Sequence, residues 1–469
     1  MNVLFNVMSG RGHTQAGLRL ANALRTKGHY VTFLCWPDAV EEFRAQGFST
    51  VLYAEKVFSD SLCHRASTND LVAPIRSGAV NASNPKAGDL FEAYLHHIVN
   101  GEFDARIKTS QPDVFVFDSF LWANALRVLF LGIPVVGLSI PMAFRLNTKV
   151  PPVTSGRTVR GNPLDRFSVL LEWMWVETKS VWINRSRSQF AGTYRHPYRF
   201  HHLTYIYREI AKQSGIAARR NRDFVLTEFG PRLVVPEIVC APHELQFEVK
   251  AKDSRVFFGD YVDMNRSEPV GRVDGLDPKK PWVYCSLGTE SKNYPYSKRF
   301  FRAVVEASRL KSDWQWILSV PNGELESDLE IPRNLAVSNW WPQIHVLGRA
   351  AVMVTHGGIN SILEGIESEV PMVIVPGTRD QPGNAARAEA CGISRRLPMK
   401  NIRPTELINA VQHCVDSSSI KDALTRIRNS IRNGNTLGEA INLIESVAAE
   451  SKRCRGTIRP AKQNHACRK

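Results

Sequence analysis

The chain has 469 residues, more than one hydrophobic core usually organises, so two domains are expected. Its 43% hydrophobic and 22% charged residues exclude a disordered or fibrous chain, and none of its eight cysteines pairs at the C-x-x-C spacing of a zinc or redox centre. The formal net charge of +15 suits a solvated basic face, an anionic membrane surface or an anionic substrate; nucleic acid is disfavoured because no nucleic-acid motif accompanies the charge.

Asn2 to Met8 is a short apolar run with no basic segment before it and a glycine-bearing turn after it, so it reads as a strand and not as a signal peptide. Ser9-Gly10-Arg11-Gly12-His13 is the turn. Ala16, Leu18, Ala21, Ala23 and Leu24 fit a helix that stops at Gly28, and Val31 to Leu34 is a second buried strand. This βαβ unit implies a parallel sheet. The pattern returns with a strand at Val114–Phe117, a helix at Leu121–Leu131 and a strand at Ile133–Leu138. Val114 to Ile140 is the longest apolar stretch, but Asp118, Asn124, Arg127 and Pro134 interrupt it, so no membrane span is expected. Pro151 to Arg222 is aromatic and arginine-rich, helical with irregular breaks, and concentrates much of the basic excess between Asn184 and Arg222. Phe257 to Lys280 lacks periodicity and reads as a linker.

A second α/β series follows: a strand at Trp282–Ser286, a helix near Ser297–Arg309, and strands at Trp314–Val320, Leu335–Ser338, Ala351–Thr355 and Met372–Val375. Two βαβ-rich halves around a linker predict two doubly wound domains facing a cleft, with ligands at the carboxyl ends of the strands. Ser451 to Lys469 reads as a loose basic tail. Cys35 and Cys285 fall in strand-like runs as core thiols, and the whole is consistent with a cytoplasmic, reduced protein.

The densest chemical signal is Thr355-His356-Gly357-Gly358-Ile359-Asn360-Ser361, which follows an apolar strand and opens a helix. Paired glycines let the backbone approach a ligand, and the free N–H groups of a helix start attract phosphate. The bland reading is a glycine-rich turn around a buried histidine. The surroundings weigh against it. Trp340-Trp341-Pro342-Gln343 lies upstream, Glu364 sits on the helix and Asp380-Gln381 follows the next strand. A Trp face can stack on a base, an amide can pair with its edge, and carboxylates can accept from ribose or sugar hydroxyls. Trp341, beside a proline, reads as structure.

This ordered set resembles the donor-site signature of the UDP-glycosyltransferases, densely from Trp340 to Asn384 and more thinly through His13, Asp118 and Ser286-Leu287-Gly288-Thr289. The resemblance implies a GT-B fold of two Rossmann-like domains. Residues 1–250 would bind the acceptor and 258–415 the UDP-sugar. The final helices, 420–449, would pack back on the first domain, and 451–469 would form a basic flexible tail. Residue by residue, it implies that Trp340 stacks on uracil, Gln343 bonds to its edge and Glu364 holds the ribose. His356, Gly358, Asn360, Ser361, Ser286 and Thr289 would surround the diphosphate, and Asp380 and Gln381 would read the sugar. His13 in the first strand–helix loop would be the general base, oriented by Asp118; Asp113 competes for that role but starts its strand at the wrong end. Neutral imidazole can take the proton of an acceptor hydroxyl, and the carboxylate stabilises the imidazolium.

The implied reaction is a single displacement of UDP by an acceptor hydroxyl, giving a β-glycoside without a metal or other cofactor. A hexose, glucose first, and a lipophilic small-molecule acceptor are expected, and the basic aromatic segment could also lean on a membrane. The same pattern has departures: Ala16 stands where relatives carry Pro, Thr378 and Arg379 replace the usual neighbours of Asp380, and Glu369 stands where Gly usually ends the helix. Two rivals remain open. One is a same-fold epimerase with water as acceptor, against which the Trp-x-Pro-Gln and Asp-Gln elements speak. The other is a non-enzymatic basic protein that binds membrane or nucleic acid.

Overall fold

The computed structural model describes residues 1–55, 94, 97–98, 100–140, 148–159, 162–190, 224–227, 230–247, 255–266, 268, 273, 275–288, 291–320 and 324–457. The first half alternates β1 (Asn2–Asn6), α1 (Arg11–Thr26), β2 (Tyr30–Cys35), α2 (Val40–Ala45), β3 (Ser49–Leu52), α3 (Glu102–Ser110), β4 (Val114–Asp118), α4 (Trp122–Phe130), β5 (Val135–Ser139) and α5 (Pro163–Phe190). A small antiparallel hairpin, β6 (Phe224–Thr227) and β7 (Gly230–Leu233), precedes β8 (Glu237–Val239) and β9 (Arg255–Phe257). Seven strands form one parallel sheet of order β3-β2-β1-β4-β5-β8-β9. In β1, Val3 and Phe5 enter the core on one face and Leu4 the core on the other. A sheet covered on both faces needs apolar residues at every position, which is why these strands read as continuous apolar runs.

The second half carries β10 (Trp282–Ser286), α6 (Ser297–Leu310), β11 (Gln315–Ser319), β12 (Leu335–Ser338), α7 (Gln343–Leu347), β13 (Ala350–Thr355), α8 (Ile359–Glu367), β14 (Met372–Ile374), α9 (Gln381–Ala390), β15 (Ser394–Arg396) and α10 (Pro404–Asp416). Its six strands form a second parallel sheet, ordered β12-β11-β10-β13-β14-β15. The strand order of each sheet reverses at one place, between β1 and β4 and between β10 and β13. Crevices open at the carboxyl ends of strands at such switch points. Cys35 and Cys285 are buried strand residues, and burial pushes the Cys35 thiol up to about 12. Among the described residues no helix is long and apolar enough to cross a membrane.

Several boundaries differ from the sequence-based expectation. The first sheet runs past Lys250, because Arg255–Phe257 pairs with β8 as its edge strand instead of opening the linker. Of the terminal helices, α11 (Ser418–Asn433) packs mainly on α8 of the second half, with Ser430 donating to Glu244 between β8 and β9; α12 (Thr436–Thr457) returns to α1, β4, β5 and β9. Ala440, Ile441, Ile444 and Ala448 give α12 its buried stripe at helical spacing. The helix continues through Thr457, so Ser451–Thr457, expected to be loose tail, is helical; residues 458–469 lie outside the described residues. The basic segment read at Asn184–Arg222 lies, beyond Phe190, outside the described residues. Glu369 takes the left-handed conformation (φ 54°) expected of a glycine. Its carboxylate accepts from Thr425 and from the Arg428 guanidinium of α11, contacts that a glycine would forgo.

Candidate active site

β1 and β4 are neighbours, so the loop after one meets the end of the other. Gly10, at φ 142°, turns the chain sharply, and the backbone N–H of His13 and of Thr14 donates to its carbonyl. The first turn of α1 thereby aims His13 at Asp118, the last residue of β4. His13 Nδ1 lies 2.5 Å from Asp118 Oδ2. Asp118 is fully buried and His13 nearly so. Two backbone N–H groups fix the carboxylate: Phe120 donates to Oδ1 at 3.1 Å and Met8 to Oδ2 at 3.5 Å. With Nδ1–H directed at Asp118, the lone pair of the imidazole is on Nε2, which suits proton abstraction. Asp113 sits at the other end of the strand, where it accepts from Asn2 N at 2.8 Å.

In the second half, β10 and β13 flank the switch point, and their loops face each other. Ser286 Oγ accepts from Gly288 N at 3.1 Å. Gly288 has φ 72°, and a Cβ there would lie 2.8 Å from His356 Cε1; one on Gly358 would lie 2.6 Å from His356 Nε2. Both positions are glycine because the imidazole fills that space. Tyr294 stacks on the same ring, centroids 5.9 Å apart. His356 is partly exposed at the residue level, but its Nδ1 is sealed from solvent. Burial lowers its pKa to about 4, so the ring is neutral at physiological pH. Gly358 caps α8, whose first residues are Ile359, Asn360 and Ser361. Their backbone N–H groups point out of the helix start, where an anion is favoured. Thr289 lies outside the described residues.

Glu364, one turn further along α8, is buried and belongs to a closed polar network. Its Oε2 accepts from Gln343 Nε2, and its Oε1 accepts from Arg266 Nη1 at 2.7 Å. Gln343 also accepts from Tyr284 Oη at 3.1 Å, so both ends of its amide are engaged within the protein, beside Glu364. Trp340 is half-buried, whereas Trp341 is buried and donates its indole N–H to Leu318 O at 3.0 Å, a structural role. Gln381 is likewise tied down. It accepts from Gly377 N and Thr378 N and donates to Tyr294 Oη at 2.8 Å, shaping the loop before α9. Asp380 is partly exposed and accepts from Asn384 Nδ2 at 2.8 Å.

The two half-sites touch. Asn360 Nδ2 is 3.4 Å from Gln15 Oε1 in the first turns of α1, and a Cβ on Gly12 would lie 3.7 Å from the same amide. Tyr261 Oη donates to Asn360 Oδ1 at 2.8 Å. The His13 loop therefore abuts the N-terminus of α8 across the cleft. Gln15, Tyr261, Arg266, Glu268 and Tyr294 were not singled out from sequence. Three of them stand in the aperiodic 257–280 segment, which offers no pattern to read.

The family model for UDP-glucoronosyl and UDP-glucosyl transferase matches residues 279–445. The NDP-glycosyltransferase YjiC of Bacillus subtilis (strain 168) is 30% identical over 444 residues, covering 94% of this chain and 93% of that protein. The chain belongs to the UDP-glucoronosyl and UDP-glucosyl transferase family. As a member it is a glycosyltransferase, with a nucleotide-sugar donor and a small-molecule acceptor. The oleandomycin glycosyltransferase of Streptomyces antibioticus is 23% identical, over 94% of this chain and 89% of its own. Among solved structures, the glycotransferase of kitacinnamycin superposes with a TM-score of 0.65 at 24% identity, covering 95% and 98% of the two chains. The glycosyltransferase VinC, solved in complex with DTDP, gives 0.63 at 18% identity, covering 96% and 100%. These likenesses identify the two-sheet architecture as the GT-B fold.

Proposed function

We propose that this transferase moves a hexose, glucose first, from a UDP-sugar to a hydroxyl of a lipophilic small molecule, with inversion at the anomeric carbon. The observation that carries the reading is the short His13–Asp118 contact at one switch point, set against the start of α8 at the other. In this reading His13 Nε2 takes the acceptor proton while the oxygen attacks the anomeric carbon from the first-domain side. The C–O bond to the diphosphate breaks as the new one forms, so a UDP-α-sugar gives a β-glycoside. UDP departs toward the N–H groups of α8, with the neutral His356, Asn360, Ser361, Ser286 and Thr289 around it. No metal takes part; the helix terminus offsets the charge that develops on the leaving group. Trp340 stacks on the base, Glu364 accepts from the ribose, and Asp380 with Gln381 lines the sugar. Gln343, whose amide is engaged with Glu364, acts on the base edge only through that contact or its backbone.

Two features support a lipophilic acceptor. Trp173 anchors α5 from within, its indole N–H donating to Val150 O at 2.9 Å. Leu164, Phe167, Leu171, Met174 and Trp175 on the same helix are exposed and offer apolar surface to an acceptor or to a membrane carrying one. A cytoplasmic location fits this reading. The test is a thermal shift with UDP, followed by transfer from UDP-glucose to a panel of hydroxylated aromatics and terpenoids, read by mass spectrometry. NMR of the product gives the anomeric configuration, and an α-linked product would refute the single-displacement reaction.

A further inference from the structure

We propose that Arg266 is a positioning residue for the donor nucleotide, holding the Glu364 carboxylate in place to receive hydroxyls of the donor ribose. The inference rests on the UDP-sugar reading above and deepens it. Arg266 closes a turn in the segment that leads from the first sheet to the second: Arg266 N donates to Asp263 O, and Asp263 Oδ1 accepts from Asn265 N. From there its guanidinium divides between two carboxylates. Nη1 meets Glu364 Oε1 at 2.7 Å, and Nη2 meets Glu268 Oε1 at 2.9 Å. Glu268 Oε2 in turn accepts the backbone N–H of Ile344 at 2.9 Å, near the start of α7. The side chains of Arg266, Glu364 and Glu268 are 15%, 5% and 8% exposed, so this is a buried cluster and not a surface pairing.

Two arguments make it a device for binding. A carboxylate has about four acceptor positions, and Glu364 uses one on each oxygen, for Arg266 and for Gln343. Capacity remains for two hydroxyl donors, and the guanidinium fork fixes the direction in which that capacity points. The second argument is charge. Glu364 and Glu268 share one guanidinium, and among the described residues Tyr284 and Tyr261 are the other titratable groups that feel the Glu364 charge. Burial pushes the Glu364 carboxyl up and Arg266 opposes the shift. Without Arg266 the two carboxylates would repel each other in a dry site, and a protonated Glu364 would spend one oxygen as a donor.

The experiment is titration calorimetry on the full chain with UDP and 2′-deoxy-UDP. Wild type should bind UDP at least tenfold more tightly than the deoxy ligand. In Arg266→Met, UDP affinity should fall tenfold or more while 2′-deoxy-UDP changes little, so the preference shrinks to threefold or less. UDP affinity of that variant should recover as the pH is raised from 7 to 9, which loss of mere packing would not produce. Arg266→Lys keeps the charge without the fork and should fall between; it carries the same comparison if the Met variant does not fold. Unchanged or tighter UDP binding by Arg266→Met, or an intact preference for the ribose, would overturn the inference and cast Arg266 as an obstacle or a scaffold. Absence of UDP binding in the wild type would overturn the donor reading itself, and this inference with it.

Discussion

Replacing Asp118 by Asn tests the base directly. The carboxylate is buried, 2.5 Å from His13 Nδ1, and also accepts from Met8 N and Phe120 N. Asn keeps the shape and one acceptor oxygen, so the N–H of Phe120 stays satisfied. Its amide group, facing Nδ1, donates where the carboxylate accepted. The ring proton then moves to Nε2, the nitrogen that must accept the acceptor's proton. The imidazolium formed in the transition state also loses its counter-charge. Two unit charges about 4 Å apart at an effective dielectric near 20 attract by about 4 kcal/mol. At about 1.4 kcal/mol per decade of rate, kcat should drop by about 10³-fold. UDP binding should be untouched, because Asp118 belongs to the other sheet. The assay is initial-rate transfer from UDP-glucose to an acceptor found by screening, with UDP affinity by calorimetry and folding by circular dichroism. A folded Asp118→Asn enzyme with kcat within tenfold of wild type would refute the reasoning. So would parallel losses in kcat and UDP affinity.

Other consequences follow from the same geometry. Trp340→Ala should weaken UDP by about 1–3 kcal/mol, the worth of a base stacked on an aromatic ring, with kcat at saturation nearly unchanged; equal affinities measured by calorimetry would remove Trp340 from the base site. Gly288→Ala combines a left-handed backbone with a Cβ driven into His356, so UDP affinity should drop at least tenfold; a crystal structure with His356 undisturbed would contradict the account. His356 is held near pKa 4 in the folded chain against about 6.5 unfolded, so the unfolded state takes up a proton first as the pH falls. Its contribution to stability is complete above pH 6.5 and is lost progressively down to pH 4, by about 3 kcal/mol. Urea melts across that range should be flatter for His356→Asn; identical slopes would show that the ring is not the titrating group. Asn124 binds Asn6, Tyr53 and Tyr94 in a buried network, and Asn124→Ala should cost about 2–4 kcal/mol in urea unfolding by stranding those groups, an effect unrelated to donor binding.

The sheets were legible because their strands are buried on both faces. Trp282–Ser286, buried throughout, coincides with β10, and the βαβ order alone places His13 and the end of β4 at neighbouring strands, although 105 positions separate His13 from Asp118. The α8 start was legible for another reason: Gly357 and Gly358 are demanded by a close approach that few other residues tolerate. Arg266 and Glu268 were not legible. Their meaning arises only when the aperiodic crossing segment folds against α7 and α8, and an arginine flanked by polar residues in a loop looks like any solvated one. The engagement of Gln343 and Gln381 was hidden similarly, since an amide's partners depend on tertiary neighbours such as Tyr284 and Tyr294. The end of α12 was misread because its Lys- and Arg-rich sequence past Ser451 resembles a tail, while the buried stripe that carries the helix lies upstream.

The return of α12 to the first sheet makes that domain discontinuous in sequence. The chain crosses the cleft once after Phe257 and again between α11 and α12, so the second domain is in effect an insertion held at two points. Two tethers favour rotation about the line joining them over free swivelling, giving any opening of the cleft one preferred axis. They also mean that a cut after residue 433 removes part of the first domain: Ile441 and Ile444 would no longer cover the helix and strands beneath them, and a product trimmed there should expose apolar surface and aggregate.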